Sequence, residues 1–233
     1  MSDKNLLIVL GATAVGKTHL AVQLSNTFDG EVISADSRQV FKGMDIGTGK
    51  DLSEYDIDGS KIPYHLIDIK NAGERYQVNA FKEDFYKAFE QIISRKKIPI
   101  LCGGTGMYIH SLLQNHELTA IPVNDILRAN LISLDKVQLQ NKLNEYPVEL
   151  RNQADYSSSK RLIRAIEIAK YLSENQHISI QRPKINPLVI GLYNEVDTRR
   201  AKILARLDKR LASGLIEEVK TLLSQGVSAE MLV

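Results

Sequence analysis

The chain has 233 residues and a formal net charge of +2, with 43% hydrophobic and 25% charged residues. This balance is typical of a globular chain and excludes wholesale disorder, and the length suits one α/β domain with a small insertion. The single cysteine, Cys102, excludes an internal disulfide framework and a cysteine-based zinc site. The first apolar run, Leu6 to Leu10, is too short for a membrane span or a signal core, so we expect a cytoplasmic protein.

Strand and helix signals alternate along the first hundred residues. The predicted order is a buried strand at Leu6–Leu10, a helix to about Asn26, short strands at Glu31–Ala35 and His65–Asp68, a helix with apolar residues from Phe81 to Ile93, and a buried strand at Ile98–Cys102. Such alternation favours a parallel sheet with helices on both faces. Together with the G-x-x-x-x-G-K-T motif at residues 11–18, it predicts an α/β fold like that of the P-loop NTPases.

The pattern changes after residue 117. Strand signals vanish and leucines recur at helical spacing, which predicts a small α-helical insertion at 118–155 within a catalytic domain formed by 1–117 and 156–233. Beyond it we expect a helix capped within Ser157–Ser159, a last strand at Pro187–Tyr193, and a long basic helix from Asp197 to about Ser224.

A phosphate-binding loop lies between the first strand and the first helix. Its residues are Gly11, Ala12, Thr13, Ala14, Val15, Gly16, Lys17 and Thr18, a complete G-x-x-x-x-G-K-T motif. The backbone N–H groups, the helix N-terminus and Lys17 favour bound phosphate, and the Thr18 hydroxyl favours magnesium. P-loop proteins that hydrolyse nucleotides usually carry an Asp at the end of a later buried strand, but Gly103 and Gly104 follow Cys102 here. That weakens a motor or switch ATPase, whereas an ATP-binding small-molecule kinase stays open.

Asp36 follows the second strand, where side chains line the ligand crevice of an open α/β sheet. A carboxylate there can accept a proton from a nucleophile or help to hold magnesium, although a plain Asp-Ser turn is the alternative.

Charge is unevenly distributed along the chain: the stretch from Lys160 to Arg210 contains 12 Lys and Arg against five Asp and Glu. This stretch is either a set of solvated helix faces or a basic wall for a polyphosphate or nucleic acid.

Together these motifs resemble one family. The matching stretches are Gly11–Thr18, Asp36–Phe41, Met44–Lys50, His65–Asp68, Gly103–Tyr108, Lys160–Glu167 and Gly214–Val219. Their order and spacing resemble those of the tRNA dimethylallyltransferases, also called tRNA isopentenyltransferases, over essentially the whole chain.

The resemblance implies transfer of a dimethylallyl group from dimethylallyl diphosphate to N6 of the adenosine 3′ of the anticodon in tRNA. It makes Asp36 the general base and places Thr105 where the two substrates meet. Asp36 would thus touch the flipped-out base, which Ser37, Arg38 and Gln39 would cradle. Lys17 and Thr18, with Mg²⁺, would stabilise the leaving diphosphate.

The same resemblance implies tRNA contacts for four basic residues, Arg128, Lys160, Arg161 and Arg164. It also implies a phosphate-contacting basic residue on the last helix, and the sequence does not decide among Arg199, Arg200, Lys202 and Arg206. We expect a monomer. Three alternatives stay open: an adenylate isopentenyltransferase acting on free AMP, ADP or ATP, a P-loop small-molecule kinase, and a catalytically weak RNA-binding relative.

Overall fold

A computed structural model describes residues 3–113, 118, 121–152, 154–175 and 182–232. The chain divides into two compact units, one formed by residues 1–113 and 182–233 and the other by residues 114–181. Within the described residues, no helix is both long and apolar enough to cross a membrane.

A parallel five-stranded sheet forms the centre of the first unit. The strands are β1 Leu6–Gly11, β2 Gly30–Ala35, β3 Phe41–Lys42, β4 Asp56–Ile57, β5 Ser60–Lys61, β6 Tyr64–His65, β7 Lys70–Asn71, β8 Ile98–Gly103 and β9 Pro187–Leu192. The central sheet has the order β6-β2-β8-β1-β9, and its neighbouring strands all pair in parallel. The short pairs β3–β7 and β4–β5 lie outside it.

The helices are α1 Lys17–Phe28, α2 Val78–Ser94, α3 Gly106–Leu113, α4 Asp125–Leu131, α5 Lys136–Asn144, α6 Val148–Arg151, α7 Ser159–Glu174, α8 Val196–Ala212 and α9 Leu215–Ser224. Single turns of 3-10 helix occupy Leu52–Tyr55 and Ala229–Met231.

Successive strand residues point to opposite faces of the sheet. Both faces are buried because helices pack on each of them. On one face Ile8 packs in a cluster with Phe81 and Phe85 of α2, and on the other Val9 packs with Val22 of α1. Each fully buried side chain of this size contributes about 1.5–3 kcal/mol. The predicted α/β fold with a doubly covered parallel sheet is therefore confirmed.

The second unit is helical. Leucines from α4, α5 and α7 form its core: Leu131, Leu139, Leu143 and Leu162. The Ser158 side chain accepts from the backbone N–H of Arg161 and so caps α7, as the sequence predicts. This helix packs against α5 and α6, so the helical unit extends beyond the predicted insertion at 118–155. Residues 119–120 and 153 of that insertion lie outside the described part.

Two predicted elements differ from the structure. The strand expected at His65–Asp68 ends at His65, because Leu66 and Asp68 adopt left-handed backbone angles, with φ of 63° and 56°, that no strand accommodates. The long helix expected from Asp197 to Ser224 is two helices, because Gly214 has a φ of 96° and separates α8 from α9.

Candidate active site

The loop between β1 and α1 has the backbone of a phosphate-binding turn. Ala14 and Gly16 have φ values of 64° and 90°, and α1 begins directly after them at Lys17. Such alternation of backbone conformation turns successive N–H groups toward one concavity. Gly11 has no room for a side chain, since a Cβ there would lie 2.6 Å from the carbonyl oxygen of Leu192 on β9. The loop therefore retains the form that binds phosphate.

Lys17 is half-buried beside this loop and its Nζ donates to the Ala12 carbonyl at 2.7 Å. Burial lowers the pKa of Lys17, Cys102 and Asp36 oppose that shift, and Arg206 adds to it. Groups at the ends of β2 and β8 and on α8 thus act on this one ammonium group.

The Thr18 side chain lies beside the Cys102 thiol. Burial raises the pKa of the Cys102 thiol to about 12, so the thiol stays neutral. The Thr18 hydroxyl is only half-buried, which leaves it able to contribute one oxygen to a metal ion.

The Asp36 turn begins where β2 ends. Its Oδ1 accepts from the backbone N–H groups of Arg38, at 2.9 Å, and Gln39, at 3.4 Å, which closes an Asx turn. The other carboxylate oxygen, Oδ2, accepts no hydrogen bond from the described residues. One carboxylate oxygen therefore forms the turn that the sequence leaves open as the alternative for Asp36.

Thr105 joins this turn from β8. Its Oγ1 accepts from the Ser37 backbone N–H at 3.0 Å, and its own N–H donates to the Ala35 carbonyl at 3.2 Å. The two strands approach closely because of Gly103, where a Cβ would lie 2.3 Å from the Ala35 oxygen. Asp36, Ser37 and Thr105 are thus brought together, as the family resemblance implies.

Gln39 holds a second loop in place. Its Oε1 accepts from the Ser34 hydroxyl at 3.0 Å, and its Nε2 donates to the Gly49 carbonyl at 3.1 Å. Arg206 donates to the same carbonyl at 3.2 Å and pairs with Asp51 at 2.7 Å. Of the four basic residues that the sequence leaves undecided on α8, Arg206 is the one that acts on Lys17.

The Met44–Lys50 loop is a scaffold for this arrangement. Lys50 is 1% exposed, donates to Asp45 at 2.6 Å and to the Phe41 carbonyl at 2.7 Å, and also pairs with Asp68. The Glu218 carboxylate of α9 accepts from the backbone N–H groups of Asp45, Ile46 and Gly47, at 2.9, 2.7 and 2.9 Å. The Gly214–Val219 motif therefore has a structural role that its residue types alone do not reveal.

In the helical unit, two predicted RNA contacts have partners within the protein. Arg128 forms a bidentate pair with Glu167 at 2.8 and 2.9 Å, and Arg164 bonds the same carboxylate at 3.3 Å. Arg164 also donates to the Ile121 carbonyl at 2.7 Å. Burial acts to raise the pKa of Glu167, but hydrogen bonds from Arg128, the Asn124 N–H and Arg164 outweigh it and lower the pKa.

The other two predicted RNA contacts lie at the surface. Lys160 is exposed on the first turn of α7. The Arg161 side chain is 62% exposed and bonds Asp155 and Ser157. Arg38, in the Asp36 turn, is also exposed. These three side chains are more accessible to a ligand than Arg128 and Arg164.

The sheet and the loop between β1 and α1 define an α/β protein of the P-loop NTPase-like fold, in which Asp36 is close enough to Lys17 of the loop to act on it electrostatically. The family model "IPP transferase" matches residues 39–232, and the model "Isopentenyl transferase" matches residues 4–65. The chain therefore belongs to the IPP transferase family, the tRNA dimethylallyltransferases.

Two curated relatives support this family membership. The chain is 48% identical to tRNA dimethylallyltransferase 2 of Porphyromonas gingivalis, over 98% of this chain and 75% of that protein. It is 47% identical to tRNA dimethylallyltransferase 2 of Treponema denticola, over 100% of this chain and 78% of that protein.

Solved structures give the same result. The tRNA isopentenylpyrophosphate transferase of Bacillus halodurans matches with a TM-score of 0.66 and 34% identity, over 97% of this chain and 72% of that one. A eukaryotic dimethylallyltransferase acting on tRNA matches with a TM-score of 0.74 and 26% identity, over 95% of this chain and 56% of that one.

Proposed function

We propose that this chain transfers the dimethylallyl group of dimethylallyl diphosphate to N6 of the adenosine 3′ of the anticodon in tRNA, with release of diphosphate. The observation that carries the proposal is the position of Asp36. It follows β2, its Oδ2 accepts no hydrogen bond from the described residues, and it acts electrostatically on Lys17 of the phosphate loop. A base and a phosphate site in one crevice suit a reaction between a nucleophile and a diphosphate ester.

In the proposed reaction, the N6 nitrogen attacks the allylic carbon that bears the diphosphate. The new bond joins nitrogen to carbon, the carbon–oxygen bond to diphosphate breaks, and the amino proton passes to Oδ2 of Asp36. Thr105, Ser37 and Gln39 keep the Asp36 turn in position through the hydrogen bonds described above. The target base has to leave its stack to reach this turn, and exposed Arg38 lies at its edge.

Lys17, the loop N–H groups and Arg206 would stabilise the negative charge of the departing diphosphate. We propose that Mg²⁺ assists, held by the Thr18 hydroxyl, by diphosphate oxygens and by water. The donor chemistry fits because magnesium bound to substrate phosphates needs only one or two protein ligands, and the half-buried Thr18 on the first turn of α1 offers a hydroxyl oxygen. Bound Mg²⁺ would neutralise phosphate charge.

The experiment offers dimethylallyl diphosphate with one of two acceptors, an anticodon stem-loop or AMP, under the same conditions. A separate titration measures the binding of ATP and of dimethylallyl diphosphate. We expect prenylated adenosine in the stem-loop, detected by nucleoside mass spectrometry. We also expect Lys17→Ala to lose about 2–3 kcal/mol of binding free energy for dimethylallyl diphosphate. Efficient prenylation of AMP with an unmodified stem-loop would contradict the tRNA assignment, and tight ATP binding without affinity for the prenyl diphosphate would support a kinase.

The cytoplasmic location and the monomeric state expected from the sequence remain predictions. RNA contact by Arg38, Arg128, Lys160, Arg161 and Arg164 also remains a prediction.

A further inference from the structure

Tyr108 uses its ring for packing but leaves its hydroxyl unused. It lies in the first turn of α3 and is 3% exposed. Its ring stacks on Phe81 of α2, with centroids 4.1 Å apart and an angle of 7° between the planes, and it meets the Tyr76 ring edge to face at 6.4 Å. A phenylalanine ring would make the same contacts, so the packing does not explain why a hydroxyl is present.

The Tyr108 hydroxyl forms no hydrogen bond with a described residue. The Tyr76 hydroxyl, in the same aromatic cluster, differs because it donates to Asp84 at 3.0 Å. A buried hydroxyl that has given up water is costly unless another group bonds it. The partner of the Tyr108 hydroxyl is therefore expected in a ligand.

The position of Tyr108 relates this hydroxyl to the Asp36 turn. Thr105 accepts from the Ser37 N–H through its side chain, and its carbonyl accepts from the Tyr108 N–H at 3.0 Å. Burial, together with the nearby charge of Asp36, raises the pKa of Tyr108 to about 12. The hydroxyl thus lies near the Asp36 carboxylate and keeps its proton at neutral pH, which makes it a hydrogen-bond donor.

A hydroxyl donor beside a carboxylate acceptor matches one edge of adenine. The N6 amino group of adenine donates, and the ring nitrogens on either side of it, N1 and N7, accept. When N6 lies against Oδ2 of Asp36, as in the proposed reaction, the adjacent ring nitrogen needs a donor from the same wall of the crevice. Guanine carries an acceptor, O6, where adenine has its amino group, so the same pair of side chains disfavours guanine.

We infer that Tyr108 is a specificity-determining residue whose hydroxyl donates to a ring nitrogen, N1 or N7, of the target adenine. The inference rests on the proposed function for the identity of that base. It adds a contact from α3 to those of the Asp36 turn, and it gives the orphaned hydroxyl the partner that the fold lacks. Bases that leave their stack are commonly read by such hydrogen bonds along one edge.

The test uses three anticodon stem-loops that differ by one ring atom of the target base: adenosine, 1-deazaadenosine and 7-deazaadenosine. The wild-type kcat/KM is expected to be about tenfold higher for adenosine than for the analogue that lacks the contacted nitrogen, the size of one hydrogen bond. Tyr108→Phe keeps the ring and its stacking on Phe81, and it should not distinguish these two stem-loops. Tyr76→Phe is the matched control, because its hydroxyl already bonds Asp84, and it should keep the wild-type preference.

The two analogues also identify the nitrogen. A preference over 1-deazaadenosine that disappears in Tyr108→Phe assigns the contact to N1, and a preference over 7-deazaadenosine that disappears assigns it to N7. If the wild-type protein modifies all three stem-loops equally, the inference is wrong. It is also wrong if Tyr108→Phe keeps the wild-type preference, and a loss of affinity for dimethylallyl diphosphate in that variant would then assign the hydroxyl to the prenyl donor.

Binding of the three stem-loops without donor is titrated in parallel, which separates this inference from the proposed function. An adenosine stem-loop that binds but stays unmodified would reject the proposed prenyl transfer. A binding preference for adenosine that Tyr108→Phe abolishes would still support the contact. The melting temperature of Tyr108→Phe verifies its fold, and the wild-type comparison can overturn the inference without any variant.

Discussion

Gln39 and Arg206 share a single acceptor, since Nε2 of the glutamine and Nη2 of the arginine both donate to the Gly49 carbonyl oxygen. Gln39 belongs to the Asp36 turn, and Arg206 acts on Lys17 in the phosphate loop. One backbone oxygen thus connects the side of the crevice that carries the base with the side that carries the phosphate. A change at either residue should affect the orientation of the other.

The affinity for the prenyl diphosphate should fall at alkaline pH because of Lys17. Burial holds its pKa below the ordinary 10.5, so the charged form is lost as pH rises through that lowered value. Calorimetry with dimethylallyl diphosphate from pH 7 upward would measure the fall. Lys17→Arg keeps its charge over this range and serves as the control. Equal pH dependence in the two proteins would show that another group titrates.

Asp36→Asn should slow the chemical step while substrates still bind. The amide retains Oδ1 as the acceptor for the turn but does not take up the N6 proton, so kcat should fall by about 10²–10⁴-fold with little change in KM. Single-turnover rates under saturating donor would measure this. Asp36→Ala, which also loses the turn acceptor, should in addition raise KM for the stem-loop. A single-turnover rate near wild type for Asp36→Asn would assign Asp36 to the turn alone.

Arg128→Ala and Arg161→Ala should separate a structural arginine from one available to RNA. Loss of Arg128 leaves the buried Glu167 carboxylate with fewer partners and should cost about 1–3 kcal/mol of unfolding free energy. Arg161 forms an exposed pair, so its loss should cost less than about 1 kcal/mol but make the salt dependence of RNA binding shallower by about one unit. Thermal denaturation and RNA titration distinguish the two; reversed results would make Arg128 the RNA contact.

The pH dependence of stability should report on the same cluster. The pKa of Glu167 lies below its ordinary 4.5 in the folded chain, so its contribution is present above the unfolded value and disappears as pH falls through the folded one. Denaturant unfolding between pH 7 and pH 3 should therefore show less acid-induced loss in Glu167→Gln than in wild type. Parallel curves for the two proteins would exclude Glu167 as a source of acid sensitivity.

Glu218→Ala should disturb the active site although Glu218 touches no proposed substrate. Three backbone N–H groups of the Met44–Lys50 loop lose their acceptor, and the loop carries the Gly49 carbonyl that orients Gln39 and Arg206. We expect a lower melting temperature and a KM for dimethylallyl diphosphate raised several-fold. Glu217→Ala removes the neighbouring, exposed carboxylate and should leave both values near wild type. Equal effects at the two positions would reject this role.

Local patterns sufficed to predict the phosphate loop and its neighbours. Gly11 ends β1 and Lys17 begins α1, close to the predicted boundaries, because a buried apolar run followed by a glycine motif has few alternative structures. Asp36 could be placed at the C-terminal edge of the sheet because residues just past the strand ends line the crevice of an open α/β sheet. The position of Thr105 followed only from the family resemblance, and the structure brings Thr105 to the Asp36 turn.

Partners that are distant in sequence could not be predicted. Nothing around Arg128 indicates that Glu167, 39 residues away, will be buried and will bind it. Likewise, Glu218 meets the Met44–Lys50 loop only after the chain has folded. The break between α8 and α9 did have a local signal, since Gly214 interrupts the helical pattern and takes a left-handed conformation.

The close approach at Gly103 has a consequence for how this site tolerates change. The separation between the Asp36 turn and Thr105 is set by main-chain atoms in contact, with the Ala35 carbonyl filling the space where a Cβ would lie. Substitutions in the surrounding core can therefore alter how long the protein survives heating without altering the alignment of these two residues. A methyl group at position 103 would do the opposite, because it would force β2 and β8 apart and widen the reaction crevice by the width of an atom.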